Sequence, residues 1–177
     1  MKKPALILST VLALCACDNE AERLAHHEKA CLTALDHGLL ESADSECTKA
    51  LGDSGLDNLD RHTLSERLFR LGSIKRQRAL YAEAVSLVSQ TLIIEEQSSN
   101  PDVFQIARRH HELTLALAGQ ENWLEGAVLV EKLLRHIDLF SEKEQKSIIN
   151  MTRLYVVNLK KNQREEHARK LEISINR

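Results

Sequence analysis

The apolar positions of the chain recur at helical spacing and break at regular intervals. Leu64, Leu68 and Leu71 form one stripe, the polar run Lys75–Arg78 interrupts it, and Leu80, Ala84, Leu87, Val88 and Leu92 restart it. This predicts two helices folded back on each other, ending near Glu96. The same figure precedes and follows it. Ala21–His37 carries Leu24, Cys31, Ala34 and Leu35 and is stopped by Gly38, and Leu39–Leu51 returns with Ala43, Cys47 and Ala50. Gly52–Asp60 reads as a loop, and Thr63 with Glu66 reads as a capping box for the next helix. Asn100-Pro101 opens a third hairpin, whose first helix holds Val103, Ala107, Leu113 and Leu117 and ends near Gly119. Asn122 and Glu125 cap its return helix, with Trp123, Val130, Leu133, Leu134 and Ile137. Ser141 with Glu144 caps a fourth hairpin, with Tyr155, Val156 and Leu159 in its first helix and Ala168, Leu171 and Ile175 in its second.

The small residues of the four return helices, Ala43, Ala84, Gly126 and Ala168, are spaced by 41, 42 and 42 residues. A near-constant step of this size is the mark of a helical repeat array; an irregular helical bundle is the alternative. Composition agrees with an all-α chain, because six Gly and two Pro are too few for the turns of an all-β fold. At 177 residues the chain is one domain's worth, and 43% hydrophobic with 28% charged residues is globular rather than disordered. A net charge of −2 gives no electrostatic case for nucleic acid.

Leu71-Gly72 in the first helix of the second hairpin, followed by Tyr81, Glu83 and Ala84, resembles a tetratricopeptide (TPR) repeat. In that family a small residue lets the two helix axes approach. The resemblance implies a TPR-like α-solenoid of about four hairpins over residues 24–177, with a period of about 42 residues instead of the usual 34.

Lys2 and Lys3 precede the apolar run Ala5–Leu14, which is too short to span a bilayer of roughly 20 residues' thickness. Its end, Leu14-Cys15-Ala16-Cys17, resembles the lipobox of bacterial lipoproteins. That resemblance implies a signal peptide over residues 1–16, lipidation of Cys17 and a tether over 17–23, and it places the chain on the periplasmic side of the envelope. Asp18 directly after that cysteine resembles an inner-membrane retention signal of such lipoproteins, which implies the inner membrane over the outer. A secreted protein cleaved near Ala16 is the alternative. Cys31 and Cys47 then remain, each eight residues from Leu39 across the first turn. In an oxidising periplasm they are expected to pair as a disulfide; two buried free thiols are the other reading.

Little in the sequence points to catalysis. His26, His27 and Cys31 lack the ligand number and spacing of a zinc site, and His110-His111-Glu112 is not HExxH. There is no Gly-rich phosphate loop and no GxSxG elbow. No enzyme, metal or cofactor is therefore expected. In TPR-like arrays the first helices of the hairpins line a groove, which here implies Phe69 and Arg76, then Arg108 and His111, then Arg153, Val157 and Lys160. These positions are mostly cationic, and arginine suits bidentate capture of carboxylates. The partner implied is an acidic segment or a C-terminal carboxylate; ordinary solvated charges are the competing reading, and Phe69 fits the core equally well. The functional expectation is a membrane-anchored binding scaffold or assembly adaptor for a secretion, pilus or cell-wall complex. An exclusion or immunity lipoprotein blocking an incoming element or toxin is the alternative.

Overall fold

A computed structural model describes residues 7–52 and 60–176, with the side chains of 7–19 and 21 outside the description. The described residues are helical, and they fall into two compact units, Met1–Leu59 and Asp60–Arg177. The first unit is the hairpin of α1 (Ile7–Asp36) and α2 (Leu40–Leu51). The second contains three hairpins: α3 (Arg61–Gln77) with α4 (Tyr81–Glu96), α5 (Val103–Gly119) with α6 (Trp123–Leu134), and α7 (Glu142–Lys161) with α8 (Glu165–Ile175). A 3₁₀ turn, Ile137–Leu139, leads from α6 towards α7. Helix α1 passes through the segments expected to be leader and tether. No helix among the described residues is long and apolar enough to cross a membrane.

One turn geometry closes all four hairpins. Gly38, Ala79, Glu121 and Gln163 sit in the left-handed region, at φ 69°, 60°, 58° and 59°. Each donates its N–H to the carbonyl three residues back, at Leu35, Arg76, Ala118 and Lys160. The next residue, Leu39, Leu80, Asn122 or Arg164, donates to the carbonyl five residues back at 2.8–2.9 Å. This is a Schellman ending, in which a left-handed residue lets orphan carbonyls of the first helix find donors. The carbonyls of those same four residues then accept from Ala43, Ala84, Gly126 and Ala168. The spacing seen in the sequence is therefore the spacing of the turns themselves.

All four small residues are buried, but they are not equivalent. Ala43, Ala84 and Ala168 are fully covered and keep their methyl groups. A Cβ on Gly126 would run into the ring and hydroxyl of Tyr155 from α7, so its constraint comes from the following hairpin. Gly72 lies where a Cβ would meet Val88 Cγ2 at 2.7 Å, a close approach of α3 and α4. Gly119 does not stop α5. It is the last helical residue, its space is taken by the Tyr81 ring, and the stop falls at Glu121.

Two of the expected caps move. Helix α3 is capped by Asp60, whose carboxylate accepts from Thr63 N, and α5 by Asp102, which accepts from Phe104 N and Gln105 N. Each aspartate stands immediately before its helix and offers a charged acceptor to the first turn. The Ser141–Glu144 capping box of α7 is present in both directions. Asn122 occupies the N-cap position of α6, yet its amide reaches Glu125 rather than a backbone N–H.

Within the second unit the hairpins pack in sequence, α4 and α3 on α5, then α5 and α6 on α7, with α6 also on α8. The main apolar core joins Ala107, Ala127, Val130 and Leu133 to Ile148, Met151, Tyr155, Leu159, Ala168 and Leu171. A smaller one packs Val88 with Leu113 and Leu117, flanked by Phe69, Val85 and Leu129. Tyr155 ties the larger core together: its hydroxyl donates to Thr114 O at 2.6 Å and its ring meets Trp123 edge-on. Burial raises the Tyr155 pKa well above that of an ordinary phenol.

Candidate partner-binding surface

Helix α5 carries two adjacent arginines with opposite fates. Arg109 is completely buried. Its Nη2 donates to Glu66 of α3 and to Glu95 of α4 (3.4 Å), and its Nη1 donates to Gln105. The guanidinium lies 4.0 Å over the Phe69 ring, and the Ser65 hydroxyl donates to Glu95 at 2.6 Å. A buried cation is tolerable only with this degree of pairing. Arg109 is thus structural; it joins both helices of one hairpin to the first helix of the next.

Arg108 shares the Phe69 ring and Gln105 Oε1 with Arg109 but lies nearer the surface. It is half-buried, its Nη1 donates to Gln105 Oε1 at 3.1 Å, and its guanidinium carbon stands 5.2 Å from the Phe69 ring and 5.9 Å from Phe104. Phe104 packs on Phe140 at 5.5 Å, and His111 meets Phe140 edge-on. Two of the three phenylalanines thus flank this cation, and the third, Phe140, backs Phe104. No described carboxylate forms an ion pair with Arg108. Glu144 is the acid that senses it: its carboxyl is held below the usual range mainly by hydrogen bonds from Ser141, with lesser contributions from His111 and Arg108. Phe104 remains 37% exposed beside it, an apolar edge next to a positive centre.

The other expected groove positions diverge. Arg76 donates to Glu112 through Nε at 2.5 Å and Nη2 at 3.5 Å, so its charge is already spent on α5. His111 is half-buried, and burial lowers its pKa. Arg153 is exposed and rests on Asn150 Oδ1, Val157 is 49% exposed, and Lys160 pairs with Glu172 of α8 at 2.6 Å, which raises the lysine's pKa. Phe69 is partly buried and serves both the core and the arginines. The structure brings Phe69, Arg108 and His111 into one cluster on α3 and α5, while Arg153, Val157 and Lys160 lie on α7.

In the first unit the sulfurs of Cys31 and Cys47 lie at disulfide distance, with Cα atoms 5.0 Å apart, inside the range a bridge accepts. In repeat register this pair corresponds to Gly72 and Val88, so a covalent link stands where the second hairpin has its closest packing. The side chain of Cys17 lies outside the described residues. His27 Nδ1 meets Glu46 Oε2 at 2.7 Å, and Glu46 is held below its ordinary pKa by Lys49 first and His27 second. Among the described residues no group of three or more His, Cys, Asp or Glu side chains is placed to hold a metal ion.

Two residues outside the expected groove, Arg109 and His110, are buried and charged or titratable. Arg109 shares the helical stripe of Leu113, Ala116 and Leu117, and a charge on an apolar stripe is a signal in its own right. His110 is 4% exposed, and neither ring nitrogen has a partner among the described residues. Burial, together with the charges of Lys132 and His136, lowers its pKa to about 4. Compared with known proteins, the chain matches no family model and no curated sequence.

Proposed function

We propose that this chain is a lipid-anchored, periplasm-facing adaptor, held in the inner membrane through Cys17, that binds a protein partner on a TPR-like array of four hairpins. The observation that carries the reading is Arg108. It is an arginine braced by Gln105 and two phenylalanine rings, with no ion-pair partner among the described residues and with the partly exposed Phe104 alongside. A guanidinium oriented in this way loses little freedom when it takes a carboxylate through two N–H groups. The partner is accordingly an acidic segment or a C-terminal carboxylate with an apolar neighbour, belonging to a secretion, pilus or cell-wall complex. The repeated turn supports the repeat-array half of the reading.

The test is capture from detergent-solubilised envelopes with the lipidated chain, beside Cys17→Ala and Arg108→Glu variants. One envelope complex retained by the parent and lost with Arg108→Glu is expected. Undiminished capture by Arg108→Glu would remove the carboxylate reading. Binding only to a component of a foreign or mobile element would move the function to exclusion or immunity.

A further inference from the structure

Helix α7 presents a surface that neither the core nor the Arg108 cluster uses. Beyond its capped first turn the chain carries no Asp or Glu from Gln145 to Arg164. Lys143, Lys146, Arg153 and Lys161 are all exposed, and Leu154 and Val157 between them are each 49% exposed. At about 100° per residue these six side chains fall within an arc of roughly 100°, and at ~1.5 Å per residue they extend along about 27 Å of helix. The opposite side of α7, with Ile148, Met151, Tyr155 and Leu159, is buried against the rest of the unit. Lys160 borders the stripe but is held by Glu172, and Arg153 is steadied by Asn150 at 3.0 Å.

We propose that this stripe docks flat on an anionic phospholipid surface. Three of its four cations are lysines, which are flexible point charges. They suit a diffuse layer of phosphate headgroups better than the fixed geometry of a protein carboxylate. Lysine is also depleted from protein–protein interfaces, whereas lysines flanking a short aliphatic strip are the composition of a helix lying in a membrane interface. Leu154 and Val157 enter the headgroup boundary while the lysine stems flatten around them and keep their ammonium groups among the phosphates. The proposal does not rest on the adaptor reading, since the Arg108 cluster is on α3 and α5.

The test uses the full chain with Cys17→Ala, so that no acyl chain contributes. Binding is measured to vesicles of phosphatidylcholine with and without roughly one-third phosphatidylglycerol. Because every variant carries the same apolar leader, the readout is the ratio of the two affinities. The parent is expected to prefer the anionic vesicles roughly tenfold or more at low salt, with the preference fading in high salt. K143E/K146E/R153E/K161E is expected to bring the ratio close to one with an unchanged circular-dichroism melt. L154S/V157S is expected to weaken binding to the anionic vesicles several-fold while keeping the salt dependence. A parent ratio near one, or a reversed-charge variant that keeps its preference, would overturn the proposal. Tighter binding to poly-glutamate than to anionic vesicles at matched charge would also overturn it, making the stripe a surface for an acidic protein.

Discussion

Three of the four hairpin turns place a side chain where glycine is the natural residue. Ala79, Glu121 and Gln163 have φ of 60°, 58° and 59°, the conformation that Gly38 adopts at 69° in the first hairpin. A Cβ in the left-handed region costs roughly 1–2 kcal/mol per residue. Replacing it with glycine removes that cost but loosens the unfolded chain, which returns roughly 0.5–1 kcal/mol. Each of Ala79→Gly, Glu121→Gly and Gln163→Gly should therefore stabilise by about 0.5–1 kcal/mol, and the triple variant by about 2 kcal/mol, because each change relieves only its own residue's backbone. For a cooperative unit of roughly 120 residues that is a rise in Tm of about 6–10 °C. Urea and thermal melts followed by circular dichroism measure it, with the m value unchanged. Arg78→Gly is the control: Arg78 sits at φ −85°, so there glycine should destabilise. A triple variant no more stable than the parent, or a stabilising Arg78→Gly, would refute the reasoning.

His110 should make the protein acid-sensitive. Its folded pKa is about 4 against an ordinary 6.5, so the unfolded chain takes up the proton first. Stability is then intact above pH 6.5 and falls by up to about 3 kcal/mol as the pH drops towards 4; urea unfolding of the parent and His110→Leu at pH 7 and pH 4.5 should show a smaller loss in the variant. Gly126→Ala pushes a methyl group into the buried Tyr155 ring and should cost about 2–3 kcal/mol, whereas Ala168→Gly, at the equivalent position, should cost about 1 kcal/mol; chemical denaturation compares the two. Arg109→Ala leaves Glu95 buried without its cation and should cost about 3–5 kcal/mol, read as a fall in the urea midpoint.

What was legible in the sequence was what repeats locally. Leucine stripes depend on neighbours a few residues away, the step of about 42 residues and the Cys31–Cys47 symmetry on counting along the chain, and the eight α-helices among the described residues follow from them. The capping box at Ser141 was readable because both of its partners lie within one turn. At Thr63 and Asn100 the pattern offered several polar residues in a row, and the aspartate nearest the first turn took the role. The left-handed conformation of Ala79, Glu121 and Gln163 within their turns was not readable, because none of these residues favours φ above zero on its own. The surface chemistry was the least legible part. Arg108 and Arg109 are neighbours of the same type, and their fates are decided by Glu66 and Glu95, 43 and 14 residues from Arg109.

The ionic knot at Arg109 also makes the order of the hairpins part of the design. Moving one repeat step of 42 residues along the chain carries Glu95 to Ile137 and Arg109 to Met151. At that second joint Met151 is core and Ile137 packs against it. The two joints of one unit thus use chemically opposite locks, charge at the first and hydrocarbon at the second. A hairpin duplicated or exchanged across them would bury an unpaired ion against an apolar face. The hairpins of this unit share their spacing, but they are not interchangeable parts.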